Sequence, residues 1–145
     1  MRTLGDQGHR RLAGALLVTL LTACGGMNAG GSVAIDGDWR LSSGTGPEGG
    51  IDPPDGHPVT LRIESDEVDG TAACNGYGGR LAEDGEQVRV EELYSTEMAC
   101  EPEEAMTAES AYLAALVEVD SATVDGDTLI LSGEDTELIF RPDDA

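Results

Sequence analysis

The chain has 145 residues, with 29 acidic residues facing eight basic ones, all Arg, for a formal charge of −21. That length allows one domain with a modest core. The charge argues against nucleic acid and anionic lipid surfaces as partners, because each carries the same sign, and leaves cationic ligands, metal ions and basic proteins. Aromatic residues make up only 3% of the chain, so the core must rest on Val, Leu and Ile, and an apolar content of 39% excludes a disordered chain.

Residues 1–23 read as an export signal. Arg2, Arg10 and Arg11 precede the uncharged run Leu12 to Leu21. That run is too short to span a bilayer as a mature helix but fits the apolar core of a signal peptide. It ends in Leu21-Thr22-Ala23-Cys24, which resembles the bacterial lipobox. The resemblance implies that Cys24 becomes a lipidated N-terminus at the extracytoplasmic face of the cell membrane. Two acyl chains would anchor it firmly. Residues 24–35 then form the lipidated Cys and a Gly-rich flexible tether. Removal of 1–23 deletes three Arg and Asp6, leaving five Arg against 28 acids, a formal −23.

Lipidation of Cys24 leaves one pair, Cys74 and Cys100. In an oxidising compartment a disulfide is the default for such a pair. A zinc site is the weaker alternative, since it needs about four ligands and His57 is the one nitrogen ligand beyond the signal. A Cys-His nucleophile would leave the second Cys free.

The folded part is expected over residues 36–142. Ile35 to Leu41 reads as a first strand and carries the only Trp, Trp39. Residues 44–58 hold five Gly and four Pro and read as a loop. Val59 to Glu64 alternates apolar and polar, the period of a half-buried strand. Ser65-Asp66 turns it into Glu67 to Ala72. Asn75-Gly76 is a turn signal, because both residues tolerate positive φ. Gly78 to Leu81 restarts a strand, Asp84-Gly85 turns it, and Gln87 to Glu91 alternates again. The period then changes. Pro102 suits the first turn of a helix, and Glu101, Glu103 and Glu104 favour its positive end. Ala105, Met106, Ala108, Tyr112, Leu113, Leu116 and Val117 fall on one face at helical spacing. Strands resume at Ala122 to Val124, Thr128 to Leu131 and Glu137 to Phe140, with turns at Asp125-Gly126 and Gly133 and a stop at Pro142. The expected class is α+β, mainly β. It is a curled antiparallel sheet of about seven or eight strands, barrel-like, with one packed helix.

Several segments resemble the META domain, or HslJ-like, family of small bacterial envelope proteins. They are Trp39-Arg40-Leu41, then Val68-Asp69-Gly70-Thr71-Ala72-Ala73-Cys74-Asn75, and Gly76-Tyr77-Gly78-Gly79. Leu93-Tyr94-Ser95-Thr96-Glu97-Met98-Ala99-Cys100 follows, with Ala111-Tyr112-Leu113 on the helix and Leu129-Ile130-Leu131 and Leu138-Ile139-Phe140 at the end. The resemblance implies a curled antiparallel sheet with one packed helix, a Cys74–Cys100 disulfide and a non-enzymatic envelope role linked with stress response. One departure is Ala73, where the family often has Gly.

No catalytic constellation is legible. There is no Gly-x-Ser-x-Gly, no phosphate-cradling Gly-x-x-x-x-Gly-Lys and no Lys for Schiff-base chemistry. Asp36-Gly37-Asp38 and Asp125-Gly126-Asp127 read as turns rather than calcium loops, and His57 as a solvated loop residue. No catalytic residue, metal ligand or cofactor is expected. The expected protein is a monomeric, membrane-anchored binding module for an unidentified protein or small apolar ligand. The alternatives are a hydrolase using surface carboxylates and a cation-binding acidic module.

Overall fold

The computed structural model describes residues 33–144. The signal, Cys24 and most of the tether lie outside the described residues. Ten elements follow in order: β1 (Gly37–Gly46), β2 (Gly49–Gly50), β3 (Thr60–Glu64), β4 (Glu67–Ala72), β5 (Asn75–Asp84), β6 (Gln87–Ser95), α1 (Glu103–Val117), β7 (Ser121–Asp125), β8 (Thr128–Gly133) and β9 (Thr136–Pro142). Neighbouring strands pair antiparallel, and β1 pairs with both β3 and β9. The sheet therefore closes on itself as an eight-stranded barrel, with β2 as a short extra strand on the end of β1. Closure leaves few free edges, which is how small β proteins avoid pairing with copies of themselves.

Alternation does most of the local work. In β3, Leu61 and Ile63 point inward and are buried while Arg62 and Glu64 face water. Leu129, Leu131, Leu138 and Phe140 do the same on β8 and β9. β1 bends to serve three partners. Its first residues pair with β3, Trp39 to Thr45 pair with β9, and a bulge at Leu41/Ser43 supplies the curl. A second bulge, at Gly78/Arg80, bends β5 against β6. Ahead of β1, Ile35 is buried, and its carbonyl accepts the Trp39 indole N–H at 2.9 Å.

Strand directions bring the C-termini of β1, β4 and β6 and the N-termini of β5 and β9 to one mouth. There α1 touches β1, β4, β6 and β9, so it lies across the opening as a plug. Tyr112 and Leu116 are wholly buried beneath it. The plug needs close approach. A Cβ on Gly46 would stand 2.6 Å from the Ala115 Cβ. The helix connects β6 to β7, and these strands share a single paired position, Gln87↔Ser121, the loosest seam of the barrel.

Several expectations shift. The segment 44–58 is not all loop: β1 runs on to Gly46 and a tight turn leads into β2. Asn75-Gly76 is not a turn. The turn is Ala73–Cys74, and Asn75 and Gly76 already pair with Ala72 and Thr71. Ala73 takes φ 64°, the left-handed conformation that costs an L-residue about 1 kcal/mol or more, which is why glycine suits that position. The strand expected to restart at Gly78 is continuous with Asn75. Pro102 caps the helix rather than joining its first turn, and Glu103 and Glu104 fill that turn. Val117 is exposed, and the buried helix face includes Glu109, Ala111 and Ala115 instead.

Candidate functional site

The most constrained part of the surface lies where the β4–β5 turn, the segment after β6 and α1 meet. At the tight Ala73–Cys74 turn, the Cys74 N–H donates to the Ala72 carbonyl at 2.7 Å. That turn aims Cys74 across at Cys100, bringing the two to disulfide distance with Cα atoms 5.9 Å apart, as the resemblance implied. The next residue, Asn75, is 0% exposed. A buried amide must satisfy all its polar atoms, and this one does so by joining three chain segments. Its Nδ2 donates to Glu109 Oε1 at 2.9 Å and to the Met98 carbonyl at 3.1 Å. Its Oδ1 accepts from the Met98 N–H at 2.7 Å and from the Thr96 hydroxyl at 3.0 Å. Its own N–H donates to Glu109 Oε2 at 2.6 Å.

Glu109 is 7% exposed, a carboxylate on the buried stripe of α1. Both of its oxygens accept from Asn75, the arrangement that makes carboxylate burial tolerable. Neither Asn75's structural role nor Glu109 was expected from the sequence. The available signal was an acid four residues after Ala105 and three before Tyr112, in the middle of an apolar helix face.

Below this knot, Tyr77 donates to the Thr60 carbonyl at 2.7 Å, and its hydroxyl stands 2.7 Å from that of Tyr112. The two rings meet edge to face. Burial pushes both phenols well above their usual range. For Tyr77, the neighbouring Tyr112 adds to the rise, whereas for Tyr112 the hydrogen bond to Tyr77 opposes it.

Above the knot is a groove of about 520 Å³, walled by Ser95 to Ala99 on one side and by Met106, Ser110 and Leu113 of α1 on the other, with Asn75 and Glu109 in its floor. Met98 stands at its edge, 60% exposed. The groove's charge is one-sided. Each of the five Arg among the described residues pairs with an acid: Arg40–Asp143, Arg62–Glu64, Arg80–Asp66, Arg89–Glu91 and Arg141–Asp127. All five lie on the barrel wall. Residues 96–120 carry seven acids and no Arg, Lys or His.

His57 is not merely solvated. It is half-buried with Nδ1 3.2 Å from the Ala73 carbonyl, so it braces the turn rather than the groove. Glu109 holds an amide, not a hydroxyl or thiol, and at the groove wall the Ser110 hydroxyl donates to Glu48 Oε2 at 3.3 Å in an exposed contact. Among the described residues, no three of His, Cys, Asp and Glu stand together as a metal set, and no helix is long and apolar enough to cross a membrane.

An NMR structure of a protein from Burkholderia xenovorans is similar, with a TM-score of 0.63 at 28% identity over 76% of this chain and 83% of that one. The crystal structure of a DUF4847 family protein from Bacteroides vulgatus ATCC 8482 has the same fold, with a TM-score of 0.53 at 16% identity over 76% of this chain and 94% of that one. No curated protein matches the chain. The META domain pattern matches residues 32–145, the whole of the closed barrel with its plug and both halves of the Cys-Asn knot, and the chain therefore belongs to the META domain family.

Proposed function

We propose that this META domain is a lipid-anchored, non-enzymatic binding module on the extracytoplasmic face of the cell membrane, and that the groove beside α1 is where it binds. One observation carries the binding part. Met98 is exposed, yet its N–H and carbonyl are both held by the buried Asn75 side chain, and a cysteine pair clamps the chain two residues on. An apolar side chain presented on so fixed a backbone loses little further freedom on binding, and that is the benefit of preorganisation. The barrel interior is filled by side chains and its mouth is plugged by α1, which favours a surface groove over an internal pocket. The anchor rests on Cys24 in its lipobox-like setting.

Native mass spectrometry of protein gently extracted from its own membranes tests the binding part. A stoichiometric extra mass that leaves on denaturation is expected. A bare monomer in every preparation counts against a binding module. Replacing Cys24→Ala tests the anchor: the variant should leave the membrane fraction, and continued retention refutes lipidation.

A further inference from the structure

We infer that the groove takes a cationic amphipathic polypeptide segment, one carrying an apolar side chain beside Arg or Lys. This rests on the binding-module assignment and names its partner. Two independent features point the same way. The first is shape and apolarity. Met106 and Leu113 lie seven residues apart on α1, on one helical face, and are half-buried, while Met98 faces them from the pinned segment. Methionine's flexible, polarisable side chain adapts to varied apolar surfaces.

The second feature is charge. Glu97 lines the groove, and Glu101, Glu103 and Glu104 stand exposed at the start of α1. No cation lies anywhere in 96–120, whereas every Arg elsewhere among the described residues already has an acidic partner. Uncompensated acidic charge beside a groove that presents an apolar trio suits a basic segment, speeds its encounter and repels acidic chains. An acidic surface alone would bind any polycation diffusely. The apolar trio is what makes the site discriminate. A neutral apolar ligand would leave that charge unused, and an anionic one would be repelled.

The test uses the full-length chain, with methionine methyl groups labelled for NMR, in a zwitterionic detergent. Three probes are titrated: a short Leu/Lys amphipathic peptide, poly-lysine, and a neutral Leu/Ser peptide of matching pattern. The Leu/Lys peptide should shift the Met98 and Met106 methyl signals saturably. Met98→Ser should weaken it about tenfold, the scale of one apolar side chain lost from a contact. Glu97→Gln should weaken it less and reduce its salt dependence. Glu83→Gln, on the far hairpin, should change nothing. Poly-lysine binding as tightly as the amphipathic peptide, or tight binding unaffected by Met98→Ser, overturns the inference in favour of diffuse charge attraction. Saturable shifts from the neutral peptide alone overturn the partner class while leaving a binding groove in place. Silence from every probe removes the groove as a peptide site, and the extra mass in the native spectrum then decides separately whether the protein binds anything at all.

Discussion

Replacing Asn75→Asp changes one nitrogen to oxygen and leaves the side chain's size alone, so its effect isolates the hydrogen-bond pattern of the knot. The nitrogen that is lost donates to Glu109 at 2.9 Å and to the Met98 carbonyl at 3.1 Å. A hydrogen bond to a charged acceptor contributes about 1.5–3 kcal/mol. The new carboxylate also faces Glu109, which is 7% exposed. Two like charges roughly 4 Å apart repel by about 4 kcal/mol at an effective dielectric near 20. That repulsion has a ceiling, because the pair can take up a proton instead, at about 1.4 kcal/mol for each pH unit above the carboxylate range. Near pH 7, about three units above that range, the proton costs about 4 kcal/mol and restores a donor toward Glu109, so the loss is about 4 kcal/mol, a large share of the stability of a small domain. Urea unfolding would read it as a lower midpoint with unchanged slope. The sign of the pH dependence follows from the shared proton. Above about pH 4 the folded variant binds more protons than its unfolded chain, so its stability falls as pH rises and the loss is larger near pH 8 than near pH 5. Adding Glu109→Gln should recover most of the loss, since the glutamine NH₂ can donate to the new carboxylate while its oxygen still accepts the backbone N–H of position 75. A loss below about 1 kcal/mol, or one equal at both pH values, would mean that the Asn75–Glu109 contact does not hold the fold.

Three further outcomes follow from the same structure. Reduction of the Cys74–Cys100 pair, 26 residues apart, should lower stability by about 3–4 kcal/mol through restored loop entropy and visibly lower the melting temperature; an unchanged melt with free thiols beforehand would dismiss the staple. Because burial raises both Tyr77 and Tyr112, the unfolded chain loses phenolic protons that the fold keeps, so stability is full below about pH 10 and falls above it; Tyr77→Phe should flatten that fall, as followed by circular dichroism. A Cβ on Gly70 would collide with the Thr60 carbonyl that Tyr77 also binds, so Gly70→Ala should cost about 1–3 kcal/mol in urea unfolding, while Gly85→Ala, in an open turn with φ 66°, should cost only the backbone strain of about 1 kcal/mol.

Elements governed by local pattern were readable in advance. Leu61 and Ile63 alternate with charged residues, and the Ser65-Asp66 turn joins two strands whose bounds differ from expectation by at most one residue. Barrel closure was not readable in detail, because the β1–β9 pairing joins residues nearly a hundred positions apart and leaves no periodic trace. The Gly and Pro of 44–58 signalled irregular backbone, yet Gly44 and Gly46 sit within a strand paired to β9 and β2, where a Cβ on Gly46 would clash with Ala115 and one on Gly44 would crowd Leu138 and Ile51. Asn75-Gly76 misled for a related reason. Asn favours turns when its carboxamide bonds locally, but here the carboxamide is committed to Met98, Thr96 and Glu109, and the turn passes to Ala73–Cys74. Of the helical face with Met106, Tyr112 and Leu113, Tyr112 is wholly buried while Met106 and Leu113 are half-buried at the groove; Glu109 escaped because helical periodicity ranks an acid as solvent-facing unless its partner is already known.

The Asn75 knot also bears on how the protein ages. An Asn-Gly pair is open to spontaneous deamidation, in which the glycine nitrogen attacks the asparagine carboxamide carbon, ammonia leaves, and water then opens the resulting imide ring to an aspartate or its isomer. Here Gly76 is drawn into the β4–β5 ladder, and both ends of the fully buried carboxamide are tied down by hydrogen bonds. The attack requires the knot to open first. The rate of covalent decay is therefore set by how often this corner of the barrel loosens, and each event leaves a carboxylate facing Glu109 that makes reclosure harder.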